Sequence, residues 1–373
     1  MTGRLPPGVL LAFPATAGSP VAAATVAVPL AGVSRPAVLV APLAAAAWAR
    51  AVAAAARADG VDCRAEPVVS ADLAGVTTEV VGADRAVLRA LPEWFRRARA
   101  APEPGIADRL RAECLNRLSS PRERGSDDVR RALFGSRHRY GIVHGERVRA
   151  VQEAGERELC AAAGELLAER PAAPAREGAS VAAARFPRGE RRSVSIAGSG
   201  ACCLLGTPGV PLGSAEKFPL HVAWALLGGR EGLLDRRLRR ERGLTYSLAA
   251  FSRELAEGGY GMCFATCRPG ALDEVAGCVA ETLSGLGGDA VAPDLLRSAK
   301  ERLVVQWHRA AQAERGRAER IAGYAAAGLG PADFAAYPAG IAAVTAEDVR
   351  AAAAAFLCPV AALELRMVPA AGR

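Results

Sequence analysis

Arg239 and Tyr246 lie seven residues apart in "LRRERGLTYS", residues 238–247. A guanidinium offers a rigid fork of donors, and a phenol hydroxyl both donates and accepts. Whether they act together depends on the elements that carry them. "LLDRRLRRERG" has Leu233, Leu234 and Leu238 at helical spacing, with basic residues towards its end, where positive charge suits the negative pole of the helix dipole. Gly243 fits the left-handed position that closes a helix, and "LTYSLAAF" follows as a strand. This pattern puts Arg239 on the last helical turn and Tyr246 among the first strand residues, both facing the space past the helix end. Periodicity alone favours a plainer reading, a surface arginine and a half-buried strand tyrosine.

Other reactive side chains give weaker patterns. Nine cysteines stand at irregular spacings, with Cys202 and Cys203 adjacent and Cys263 and Cys267 in "MCFATC". Strand periodicity puts the last two on one face. There is no CxxC and no nearby histidine, so the spacings do not make a zinc site. Buried, reduced thiols are the expectation, which fits a reducing cytoplasm. The net charge of +8 invites a nucleic-acid reading. Only Lys217 and Lys300 are lysines, however, and the arginines are interspersed with Asp and Glu. That is a solvated surface, and no nucleic-acid partner is expected.

The 373 residues, half of them hydrophobic, suit one large domain or two ordinary ones. Prolines at 6, 7, 14, 20 and 29 interrupt the uncharged N-terminal stretch, which reads as two strands (8–14 and 20–31) rather than a signal peptide. The apolar run from Pro36 ends at Arg50, short of the ~18 residues of a membrane span. A soluble, cytoplasmic protein without a membrane partner is expected. Helices are predicted over 38–58, from Asp84 through "PEWFRRA", and over 105–119, 126–134 and 154–168, with a strand pair in "VDCRAEPVV" and "ADLAGVTTEVV". A Pro-, Ala- and Arg-rich linker follows at 169–190.

The order of elements then recurs. A strand is predicted at 198–206, helices at 214–228 and 231–242, and strands in "GLTYSLAAFSREL" and "GGYGMCFATC". A helix at 270–286 and one long helix from Pro293 to Gly328 come next. Thr345 and Asp348 offer a capping box to a further helix, and "AALELRMVP" closes as a strand. The expected fold class is α+β: two similar units, each an antiparallel sheet packed with helices, at 1–168 and 191–373.

The segment "LLGGREGLLDRRLRRERGLTYSLAAFSRELAEGGYGMCFATC", with "DLLRSAKERLVVQ" and "VTAEDVRAAAAAF" after it, resembles the C-terminal half of M16 peptidases, the insulinase and mitochondrial-processing-peptidase family. The resemblance covers about residues 195–368, and Arg239 and Tyr246 match the family's Arg-x6-Tyr pair. More faintly, "GVLLAFPATAGSPVAAATVAVPLAG" resembles the family's opening hairpin, and "FGSRHRYGIVHGER" its "HPYG" loop. Active members carry His-x-x-Glu-His on the helix after that hairpin. Here that helix reads "PAVLVAPLAAAAWARAVAAAARADG", without His or Glu. Glu113 falls where a distal zinc ligand would stand, but one carboxylate does not hold zinc.

The resemblance therefore implies a chain with the substrate-binding pair and no metal or other cofactor of its own. The expected partner is a paralogue bearing His-x-x-Glu-His and supplying the zinc. The expected activity is that of the non-zinc subunit of a heterodimeric endopeptidase, engaged in peptide or leader-peptide processing. By the same resemblance, Arg239 binds peptide carbonyls and Tyr246 donates to the developing oxyanion. The alternatives are an inactive structural protein and a peptide-binding module.

Overall fold

The long alanine-rich helix begins at a sequence-encoded cap. Ser34 is extended and its hydroxyl accepts from Ala37 N at 3.4 Å, with Pro36 in the first turn, where its missing N–H costs nothing. The helix spans Arg35–Ala58. The computed structural model describes residues 10–12, 21–81, 90–97, 120–153, 189–196, 198–288, 291–359 and 362–370, with scattered positions in 108–116 and 161–166. The linker stretch 169–190, apart from its last two residues, lies outside them, as does most of the predicted helices 105–119 and 154–168.

The chain forms two compact units, and neither is one contiguous half. One comprises Met1–Arg117, Ile142–Gly178 and His308–Ala335; the other comprises Leu118–Gly141, Ala179–Trp307 and Ala336–Arg373.

In the first unit, β1 (Leu10–Ala12), β2 (Val21–Pro29), β3 (Arg64–Val69) and β4 (Leu73–Val81) form an antiparallel sheet in the order β1-β2-β4-β3. Strand alternation gives it two buried faces. Ala24, Val26, Val28, Ala74 and Val76 pack with Ala41, Ala45, Trp48 and Val52 of the Arg35–Ala58 helix. On the opposite face Ala27 and Leu73 meet Ala322 of a helix spanning Glu314–Ala326. Arg315 of that helix pairs with Glu66 of β3. The Arg35–Ala58 helix continues well past Arg50, so by length and composition it is apolar enough to cross a membrane. Its most apolar window has a mean hydropathy of 1.7, and 61% of that window is buried inside the protein.

In the second unit, β5 (Arg191–Ile196), β6 (Ala201–Gly209), β7 (Ser247–Glu254), β8 (Gly259–Cys267) and β9 (Leu363–Pro369) form a sheet in the order β5-β9-β6-β8-β7. All its pairs are antiparallel except β5 with β9. Its main core joins Leu205, Cys263 and Ala265 to Leu220 and Trp224 of the Lys217–Leu227 helix, Val275 and Val279 of the Leu272–Gly288 helix, and Val349 of the Ala346–Phe356 helix. The last of these opens on the predicted capping box of Thr345 and Asp348. The helix Pro121–Phe134, from the first half of the chain, also packs on this sheet. Val129 touches Gly206, Gly125 touches Leu204, and Arg124 Nη1 donates to Ser195 O at 3.2 Å.

Several elements differ from the sequence reading. The single helix expected over 293–328 is two, Pro293–Gln312 and Glu314–Ala326, with Ala313 extended at φ −73°, ψ 125°. Arg317 accommodates the break: its Nε donates to the freed carbonyl of Ala311 at 3.0 Å. Strand β5 was not predicted, because its alternating partners are arginine and serine. The helix expected over 126–134 starts earlier, with Pro121 in its first turn. Cys203, Cys263, Cys267 and Cys278 are buried free thiols in one core cluster. Burial pushes the Cys263 thiol up to about 12 and the Cys202 thiol up to about 11.

Candidate functional site

The helix that delivers Arg239 is wound more widely than the α-helix its sequence predicts. From Asp235 to Glu241 it is a π-helix, whose hydrogen bonds reach one residue further. Leu234 and Leu238 are fully buried. Asp235 is 4% exposed, and a carboxylate so buried needs partners. The wide winding brings residues four and five positions ahead over it: Arg239 Nη1 stands 3.2 Å from Oδ1 and Arg240 Nε 3.2 Å from Oδ2. Arg240 also donates to the carbonyl of Arg230.

Gly243 ends the helix at φ +61°, a conformation that suits only glycine without strain. Its N–H bonds to Arg239 O at 3.2 Å, and Leu244 N bonds to Leu238 O at 2.7 Å. The chain turns back there, and Arg239 Nη2 donates to the backbone carbonyl of Tyr246 at 2.5 Å. On the other side of Tyr246, the buried Thr245 hydroxyl lies 2.7 Å from Thr266 O and 2.9 Å from Ser247 O. Thr266 Oγ1 in turn accepts from Ser247 N at 3.1 Å. The backbone at Tyr246 is thus fixed from the helix and from β8.

The tyrosine side chain is free of this scaffold. Tyr246 stands just before β7 and is 67% exposed, so the half-buried reading does not hold. Its hydroxyl reaches over Gly200, where a Cβ would lie 2.9 Å from Oη. Among the described residues, that hydroxyl has no hydrogen-bond partner. Sequence reasoning singled out Arg239 and Tyr246 and passed over Asp235 and Gly200, which the structure sets beside them. The signal for Asp235 was its position four residues before Arg239.

Two further polar clusters occupy the second unit. His221 Nδ1 lies 2.8 Å from Tyr337 Oη, and its Nε2 lies 2.5 Å from Glu254 Oε2. Burial alone would raise the Glu254 carboxyl, but the charge and hydrogen bond of His221 outweigh it and hold the group below its usual range. His138 Nε2 and Arg139 Nη1 meet Glu257 at 3.2 and 2.9 Å, and Tyr140 Oη accepts from Glu257 N at 3.1 Å. The His138 hydrogen bond and the Arg139 charge hold the Glu257 carboxyl down to about 2, against the opposing effect of burial.

The zinc chemistry of an active peptidase does not fit these residues. The inward positions of the Arg35–Ala58 helix are alanines, valines, leucine and tryptophan, with no ligand atom among them. Burial raises the thiols of Cys203 and Cys263. Among the described residues, no group of three or more His, Cys, Asp or Glu side chains could hold a metal ion. Glu113 lies outside the described residues.

Comparison with known proteins places this architecture. Residues 156–303, which include Arg239 and Tyr246, match the family model described as peptidase M16 inactive domain. The fold is similar to that of the peptidase M16 inactive domain from Pseudomonas fluorescens, at TM-score 0.70 and 15% identity over 97% of this chain and 99% of that one. It is similar to a protease from Helicobacter pylori, at TM-score 0.66 and 12% identity over 88% and 90% of the two chains. It is also similar to a chain in complex III2 from Candida albicans, at TM-score 0.71 and 10% identity over 95% and 92%. No curated protein matches the sequence. The class is therefore the M16-like α+β fold. Within that class, residues 156–303 are similar to the peptidase M16 inactive domain.

Proposed function

We propose that this chain is the non-zinc subunit of a two-chain M16 endopeptidase, with a zinc-bearing paralogue containing His-x-x-Glu-His as its partner and a peptide as substrate. The observation that carries this reading is the arrangement at Tyr246. Its backbone is anchored by Arg239, Thr245 and Thr266, while its side chain is exposed and its hydroxyl has no hydrogen-bond partner among the described residues. A packing tyrosine has no need of a scaffold that holds its main chain and leaves its hydroxyl out. A hydroxyl that donates to a carbonyl oxygen gaining negative charge needs that rigidity. Arg239 has two of its five N–H groups committed, one to Asp235 and one to Tyr246 O, and the remainder are available to substrate carbonyls.

The decisive experiment mixes the purified chain with a His-x-x-Glu-His paralogue and follows cleavage of a peptide library, including leader-type peptides. The expected result is a 1:1 complex that cleaves, with neither chain active alone. Full activity of the paralogue by itself would overturn the proposal. A second reading, an inactive structural or peptide-binding protein, is favoured by one feature: Arg239 already holds groups of its own chain. Peptide affinity in the isolated chain without cleavage in any mixture would establish it.

A further inference from the structure

The Asp235–Glu241 helix has three faces. Leu234 and Leu238 enter the core, Asp235 gathers Arg239 and Arg240, and Arg236 and Arg237, with the neighbouring Leu233, line a cavity of about 280 Å³. Leu226, Leu286, Val291 and Leu295 give the cavity its other apolar walls. Its polar groups are basic. Arg237 Nη1 donates to Thr282 Oγ1 at 3.2 Å, and that hydroxyl donates to Cys278 O at 2.6 Å, so Thr282 is already committed. Arg236 is exposed, and among the described residues its side chain has no hydrogen bond or ion pair. No acidic residue is among the described lining.

We infer that this cavity binds a small amphiphilic carboxylate, with a branched aliphatic or aromatic body against the leucines and valine and the carboxylate on Arg236 and Arg237. Each half of the lining calls for its counterpart. Apolar walls around a concave space are stabilised by an apolar body that displaces water. Two arginines lining one cavity, with no acidic residue in its described lining, match a carboxylate, which accepts several N–H bonds at once. An inorganic anion would satisfy the arginines and leave the apolar walls wet. At roughly 30 Å³ per water, the volume corresponds to about nine waters, the bulk of one hydrophobic residue with its carboxylate. The same chemistry is offered by the C-terminus of a peptide ending in leucine and by a free single-residue acid. The inference does not depend on the role of Arg239, which lies on another face of the helix, or of Tyr246, which lies beyond its end.

Calorimetric titration of the full chain tests it with three probes: N-acetyl-L-leucine, acetyl-Gly-Gly-Leu, and the uncharged N-acetyl-L-leucinamide. The expected result is saturable 1:1 binding of at least one acid, with the amide weaker by about tenfold or more, since a charge-assisted bond is lost. Arg236→Ala should weaken the acid by a similar factor without changing the melting temperature, because the Arg236 side chain has no hydrogen bond or ion pair among the described residues. Leu295→Trp, which fills the cavity from a half-buried position, should abolish binding. A tripeptide that binds at least as well as N-acetyl-L-leucine identifies a peptide C-terminus as the ligand, and preference for the single-residue acid identifies a free acid. No saturation by either acid within its solubility, equal binding of acid and amide, or an unaffected Arg236→Ala variant would each overturn the inference.

Discussion

Arg239 donates from Nη2 to the main-chain carbonyl of Tyr246 at 2.5 Å, so the arginine holds the backbone from which the tyrosine hydroxyl projects. The seven-residue spacing is therefore a structural connection before any substrate arrives. It closes the turn at Gly243, ties the π-helix to the start of β7, and leaves the phenol exposed. Anchor and projecting group should respond differently to mutation.

Tyr246→Phe removes a hydroxyl with no partner among the described residues. Stability should change by no more than about 0.5 kcal/mol. In the reconstituted two-chain enzyme, turnover should fall about 10²–10³-fold, the usual cost of one oxyanion donor. Steady-state kinetics beside a denaturant melt separates the two effects, and unchanged turnover would make Tyr246 a non-catalytic surface residue.

Arg239→Ala should cost stability as well as activity. It removes the bond to Tyr246 O and one of the two arginines on the buried Asp235, a loss of about 1–3 kcal/mol. KM should rise while kcat/KM falls, because binding of substrate carbonyls operates in the ground state too. Arg242 is the appropriate control, since its ion pair with Glu274 at 3.6 Å is exposed. Arg240 is unsuitable for that purpose because it holds Asp235 and the Arg230 carbonyl. If Arg239→Ala and Arg242→Ala have equal effects, the contribution is general charge rather than position.

Gly200→Ala tests the placement of the phenol without touching it. The new Cβ would lie 2.9 Å from Tyr246 Oη, close enough to push the tip of an exposed ring aside. The melting temperature should hold while reconstituted turnover falls by about tenfold or more, as small displacements of catalytic groups do. If turnover is unchanged, the hydroxyl does not act from its position over Gly200.

What the sequence revealed was local. Gly243 as a helix stop and the Thr345–Asp348 capping box depend on residues within one turn, and both are present. The Arg239 and Tyr246 positions were legible for the same reason, as the end of one element and the start of the next. The break at Ala313 was not, because no proline stands there and its immediate neighbours, Ala310 to Arg315, all favour helix. Nor was the packing of Pro121–Phe134 on β6, nor of Glu314–Ala326 on β2, since each joins segments far apart in the chain. The π-winding follows from burying Asp235 beneath two arginines, and burial is not written in periodicity.

The Glu257 cluster gives a pH dependence with a definite sign. Hydrogen bonding to His138 and the charge of Arg139 hold the carboxyl down to about 2, from an ordinary value of 4.5. A folded-state value below the unfolded one means that the ionised form stabilises the fold. That stability is complete above about pH 4.5 and is lost as pH falls towards 2. Glu257 is 30% exposed at its side chain, so after allowance for screening the contribution is about 2 kcal/mol. Glu257→Gln should be less stable than the wild type by that amount at pH 7. The gap should stay constant down to about pH 5 and shrink to a small remainder by about pH 2, where the Glu257 carboxyl is half protonated. Glu254 also loses stabilising charge in acid, but it does so in both proteins, and the difference between them isolates Glu257. Urea melts of the two proteins from pH 7 to pH 2 give the measurement. A gap that stays constant over the whole range would show that Glu257 acts through its hydrogen bonds alone, without its charge.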